Sequence, residues 1–105
     1  MGSIDFARIN EEALRVLPAL LRRWLADGQV QAGEYIARNP TRNDRKPGSF
    51  KIRLRDCRWA DFATGDRGGD PISLTAYLHN LPQGEAAKQL AHMLGLRGND
   101  SDRSR

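Results

Sequence analysis

From Ser49 to Arg55 the chain alternates, with Phe50, Ile52 and Leu54 at one parity and Lys51, Arg53 and Arg55 at the other. In a β-strand successive side chains point to opposite faces, so the three cations form a row with neighbours roughly 6.6–7 Å apart. That interval is close to the phosphate spacing of an extended single strand, and a polyanion backbone can run along it. Arg58, on the expected return strand, adds a fourth cation. An exposed strand kept from edge pairing by its own charge has the same pattern.

The distribution of charge supports a polyanion face. Residues 38–67 hold nine basic and four acidic side chains, a net of +5, while the remaining residues hold eight and nine, a net of −1, which together make the chain's +4. Seven of the nine cations are arginine, whose planar fork suits phosphate contacts and stacking on bases. The candidate phosphate contacts are Arg42, Arg45, Lys46, Lys51, Arg53, Arg55, Arg58 and Arg67. Phe50, Trp59 and Phe62 fall in the same predicted sheet. Phe50 shares the apolar parity of Ile52 and Leu54 and belongs in the core, whereas Trp59 is the candidate for stacking on a base.

Other chemistry is sparse. Thr64-Gly65-Asp66-Arg67-Gly68-Gly69-Asp70 precedes a helix start, where backbone amides can bind an anion, but it is neither a P-loop nor GxGxxG. A structural turn explains it better. His79 and His92 lie on C-terminal helices with no nucleophile paired to them in sequence. Asp56, Asp61, Asp66 and Asp70 could hold Mg²⁺, yet two of them read as turn and cap residues. A lone cysteine, Cys57, excludes an internal disulfide and a multi-cysteine metal site. The expectation is a non-catalytic domain with no cofactor and no metal.

The positioning elements follow from local signals. Asn10 reads as a helix N-cap, with Glu11 and Glu12 in the first turn. Leu14, Leu17, Leu21 and Leu25 make one apolar face, interrupted by Pro18, which either kinks the helix or opens a second one. Asp27-Gly28 ends it. Residues 30–38 read as one short strand, residues 39–48 as turns, and Ser49 to Arg55 as the clearest strand. Asp56-Cys57 then makes a tight or bulged turn into the return strand Arg58 to Phe62. Asp70-Pro71 is an N-cap followed by a first-turn proline, with Ile72, Ala76 and Leu78 as core contacts up to Asn80. Pro82 starts a last helix with Glu85 in its first turn, buried positions at Ala87, Leu90, Ala91 and Leu94, and Gly95 at its C-terminal cap.

The fold class expected is therefore α+β: an N-terminal helix, a small antiparallel sheet and two C-terminal helices. The 105 residues suffice for one domain. The organisation expected is an N-terminal arm over 1–9, a single domain over 10–96 and a disordered tail over 97–105, where no apolar residue provides an anchor. No apolar run approaches the ~18 residues of a membrane span, and no signal peptide is visible, so the expected location is cytoplasmic.

The segment from Asn39 to Leu96 resembles the N-terminal zinc-ribbon domain of bacterial, phage and plasmid DNA primases. The likeness lies in the order of its parts. A turn rich in Pro and Asn leads into Pro47-Gly48-Ser49-Phe50, an aromatic return strand follows, then Gly68-Gly69-Asp70 before a helix that begins Pro71-Ile72-Ser73-Leu74, and a last helix ends in Leu94-Gly95-Leu96. The family holds zinc with three cysteines and a histidine. The matching positions here are Asn39, Asn43, Asp61 and Thr64, which are no zinc ligand set, and Cys57 falls out of register. The resemblance thus implies a degenerate ribbon without zinc, stabilised by helices packed on the sheet. It also implies single-stranded DNA as the ligand, and a replication polymerase, primase or helicase of a mobile genetic element as the protein partner. The alternative expectation is a protein-interaction or inhibitor module that blocks a host nucleic-acid complex; a metal- or nucleotide-dependent enzyme ranks behind both.

Overall fold

A computed structural model describes residues 5–96. The expected tail at 97–105, and the first four residues of the expected arm, lie outside the described residues. Helix α1 spans Phe6–Arg15 and α2 spans Leu17–Trp24. Five strands follow: β1 Gln29–Gln31, β2 Glu34–Ala37, β3 Phe50–Arg53, β4 Trp59–Asp61 and β5 Arg67–Gly68. Helices α3, Pro71–His79, and α4, Gln83–Met93, complete an α+β fold. The strands form one antiparallel meander in the order β1-β2-β3-β4-β5.

The N-terminal helix starts earlier than its sequence signals indicate. Asp5 is the N-cap, its carboxylate accepting from the Arg8 amide at 3.1 Å. Asn10 sits inside α1, and its Oδ1 accepts from the amide of Ile72 at 2.9 Å. It therefore caps a helix, but that helix is α3, where first-turn amides lack intrahelical partners. The α3 start is otherwise as read. The Asp70 carboxylate accepts from the Ser73 amide at 2.8 Å, Ser73 Oγ accepts from the Asp70 amide, and Pro71 occupies the first turn. At Pro18 the chain opens a second helix, with the proline in the first turn where its missing N–H costs nothing.

The single strand expected over 30–38 is a hairpin. Ala32 and Gly33 form its turn at φ +54° and +80°, the left-handed pair that matches the twist of two-residue hairpins. Alanine gives no sequence signal for that conformation. At the next hairpin the connection covers Leu54 to Cys57, not a two-residue Asp56-Cys57 turn. The Arg53 carbonyl accepts from the Cys57 amide at 2.7 Å, and the Arg53 amide donates to the Arg58 carbonyl at 2.8 Å. Cys57, at φ +62°, points its side chain into the core, where burial raises the thiol pKa and keeps it protonated. The glycine-rich stretch, expected as a turn only, contributes β5.

All helices lie on one side of the sheet. Leu17, Leu21 and Leu25 pack with Tyr35, Phe50, Ile52, Cys57, Trp59 and Leu74, so α2 and α3 cover the inner sheet face. A second cluster, formed by Ile9, Ala13, Leu20, Ile72, Ala76, Ala86, Ala87 and Leu90, joins α1 and α4 to the far side of the same two helices. Ile9 is buried there, inside the stretch read as an arm.

Gly68 has a packing reason. A Cβ there would stand 2.5 Å from Trp59 Nε1 and 2.6 Å from Ser73 Oγ, two atoms joined by a 3.0 Å hydrogen bond. At Gly69 an added Cβ meets nothing within 4 Å. Gly68→Ala is expected to cost ~1–3 kcal/mol through overpacking, and Gly69→Ala less than about 0.5 kcal/mol. Urea midpoints of the two variants check this, and equal losses would refute it.

Candidate functional site

With the helices on one side, the other face of the sheet is open. Cross-strand register places Gln29, Ile36, Lys51, Ala60 and Arg67 in one row on that face. Gln31, Glu34 and Arg53 make the next row, and Arg58 and Phe62 flank Ala60 along β4 at the same parity. The amide of Phe62 donates to the Ser49 carbonyl at 2.9 Å, which extends the β3–β4 pairing and holds the ring outward. Phe62 is 72% exposed, and Lys51 Nζ lies 5.9 Å from its ring centroid.

Two depressions adjoin on this face and share Lys51. One, of about 160 Å³, is lined by Glu34, Lys51, Arg53, Arg58, Trp59, Ala60 and Phe62. The other, of about 330 Å³, is lined by Asp27, Gln29, Gln31, Ile36, Pro47, Gly48 and Lys51.

The expected cations separate into free and committed ones. Lys51 and Arg67 have no ion-pair partner among the described residues. Arg58 is exposed, with Asp56 only at 3.9 Å. Arg45 and Lys46 are exposed in the loop that ends at Pro47-Gly48, beside the larger depression. Arg53 is on the open face, but its guanidinium makes a two-point contact with Asp56, at 3.0 and 2.6 Å. That pairing holds the Asp56 carboxyl well below the usual carboxylate range. Arg55 leaves the row: β3 ends at Arg53, and Arg55 is exposed in the loop that follows.

Two further candidates are committed to partners, one buried and one half-buried. Trp59 is only 5% exposed, packs against Tyr77 and donates to Ser73 Oγ, so it cannot stack on a base. The exposed aromatic is Phe62. The parity rule could have found it, because Trp59 and Asp61 share the inner face while Arg58, Ala60 and Phe62 share the outer one. Arg42 turns inward. Its Nε donates to Asp61 Oδ2 at 2.8 Å and a terminal nitrogen to Oδ1 at 3.3 Å, with Asp44 on its other side at 3.4 Å.

Asp61 is fully buried, and two of the other three positions matched to zinc ligands, Asn39 and Thr64, lie against it. Asn39 Nδ2 donates to Asp61 Oδ2 at 2.8 Å, the Ala63 amide donates to Oδ1 at 2.9 Å, and Thr64 Oγ1 lies 3.5 Å from the Asp61 carbonyl oxygen. Asn39 also donates to the Tyr77 hydroxyl and accepts from Thr41, which ties the loop to α3. Asn43 is exposed and outside this set. Burial pushes the Asp61 carboxyl up, but the hydrogen bonds from Arg42, Asn39 and the Ala63 amide prevail and lower its pKa to about 2. Among the described residues no group of three or more His, Cys, Asp or Glu is placed to hold a metal ion. The cation at this cluster is a guanidinium.

The chain is thus an α+β domain with one face of a five-stranded meander left open, bearing free cations around a projecting aromatic ring. No protein-family model matches it, and a search of the curated proteins finds no match. No helix among the described residues is long and apolar enough to cross a membrane.

Proposed function

We propose that the protein is a non-catalytic module that binds single-stranded DNA on the open sheet face. The observation that carries this reading is Phe62, exposed and projecting among Lys51, Arg58 and Arg67. Stacking on an aromatic ring combined with phosphate contacts is the usual basis of single-strand recognition, and a duplex offers no free base face to the ring. The resemblance to a primase template-binding domain, with the zinc replaced by hydrogen bonds, agrees with this ligand. It extends the proposal to assistance of a replication polymerase, primase or helicase of a mobile element.

Anisotropy titration of a fluorescent oligonucleotide tests the reading. With about three free cations on the face, log Kd is expected to depend on log salt with a slope near 2, at about 0.7 per phosphate contact. Absence of binding at low salt would overturn it. Capture of an acidic protein partner that survives nuclease treatment would transfer the same face to the interaction-module alternative.

A further inference from the structure

The two edges of the sheet are unlike. β5 is two residues long, and its Arg67 is an exposed cation that repels its own copy. β1 is exposed along its whole length, and the chain from Gly28 to Gly33 carries no charged side chain. It pairs with β2 without a bulge and contains no proline, so it lacks the usual devices that keep an edge from pairing. The direction of its backbone groups follows from the ladder. The Leu54 amide donates to the Gly33 carbonyl at 3.0 Å, the bond that flanks a non-hydrogen-bonded pair, here Glu34 with Arg53. Glu34 and Ile36 therefore turn their amides and carbonyls toward Gln31 and Gln29, and Val30 aims both of its own away from the sheet. Val30 is 55% exposed.

We propose that β1 is the contact between two copies of this chain, paired antiparallel about Val30. The strand is Gln29-Val30-Gln31, the same in both directions, so a two-fold axis at Val30 sets each residue against its own kind. The two Val30 residues form a hydrogen-bonded pair, each amide donating to the other's carbonyl, and their side chains cover each other. On either side, Gln29 faces Gln31 of the second copy in a closer, non-hydrogen-bonded pair. A carboxamide both donates and accepts and so suits another carboxamide, whereas a charged side chain at these positions would meet a like charge. This complementarity selects a second copy over an unrelated extended segment. The net charge of +4 works against self-association, and no charged residue lies on this strand. The axis stands perpendicular to the sheet, so both open faces fall on the same side of one ten-stranded sheet, five strands from each copy. The β5 edges left at its two ends carry like charge, and assembly stops at two.

Sedimentation equilibrium of the full chain, with no nucleic acid present, tests this. The weight-average mass is expected to rise from that of one chain, 11.8 kDa, toward twice that between about 10 µM and about 1 mM, the range for a contact at the small end of protein interfaces. Val30→Pro removes the outward amide at a position where an edge strand tolerates proline, and should stay monomeric throughout. Gln29→Lys/Gln31→Lys and Gln29→Glu/Gln31→Glu set like charges in the facing pairs, so each alone should weaken association at least about tenfold. An equimolar mixture of these two variants should recover association at low salt and lose it at high salt, which requires the two β1 strands to face each other. The mixture carries the test even if Val30→Pro fails to fold. A wild type that stays monomeric to about 1 mM overturns the proposal and leaves the edge to a different extended segment. Association that both charged variants retain unchanged places the contact elsewhere on the molecule and overturns it as well.

Discussion

Asp61→Ala is expected to cost about 3 kcal/mol or more in urea unfolding, a large part of the ~5–15 kcal/mol typical of a domain. The carboxylate is fully buried and accepts from Asn39, from two Arg42 nitrogens and from the Ala63 amide, so its removal leaves the donors of the β2–β3 loop and of the turn after β4 without their acceptor. Arg42→Met should lower the midpoint further still, because it leaves the charge in place and takes away the cation that compensates it. The pH dependence separates the two. In the wild type the Asp61 pKa lies below its unfolded value, at about 2 against ~3.9. Its contribution is complete above that unfolded value and is lost as pH falls toward the folded one. In Arg42→Met the desolvated carboxyl is opposed by fewer donors and its pKa rises, so acidification relieves the variant. The stability gap between wild type and Arg42→Met should therefore narrow from pH 7 to pH 3. A gap that stays constant would mean that Arg42 supplies packing alone.

Charge reversal on the open face is the second large effect. Lys51→Glu with Arg58→Glu is expected to weaken single-stranded DNA binding at least 100-fold at low salt, since two phosphate contacts are replaced by two repulsions. The thermal midpoint should change little, because neither side chain is a fully desolvated partner of a buried group. The matched control is Arg8→Glu with Arg23→Glu. Those arginines are exposed on α1 and α2, on the side of the sheet away from the face, and the net charge changes equally. A loss of similar size in the control would show that overall charge is sensed, with no defined site. Arg53 is a poor test residue, because its removal also strips Asp56 of its partner.

Much of this architecture is legible in the sequence. Phe50 and Ile52 alternate with Lys51 and Arg53, and the strand they form is the centre of the sheet with its parity as read. Asp70-Pro71 starts α3, Asn80 ends it in a left-handed conformation, and Gly95 follows α4 at φ +73°. Such signals are local, since a cap or an alternation depends on a few adjacent residues. The surplus of positive charge in residues 38–67 is likewise a property of composition.

Which of those charges are free was decided only by tertiary structure. Lys51 kept its place on an open strand face. Arg55 lost it, because the connection after β3 takes four residues and ends the alternation. Arg53 is held by Asp56, and Arg42 is spent on Asp61, an acid set at an inward position beside Trp59. Asn10 proved to be a cap for α3, accepting from an amide 62 residues later. Trp59, expected to stack, went to the core, and Phe62, given no role by the sequence, to the open face, by the parity of one short strand. In each case the deciding quantity is the position of a side chain relative to a partner distant in sequence. Alternation and capping signals describe a chain with its neighbours, whereas desolvation of Asp61 and exposure of Phe62 exist only once the helices have chosen one face of the sheet.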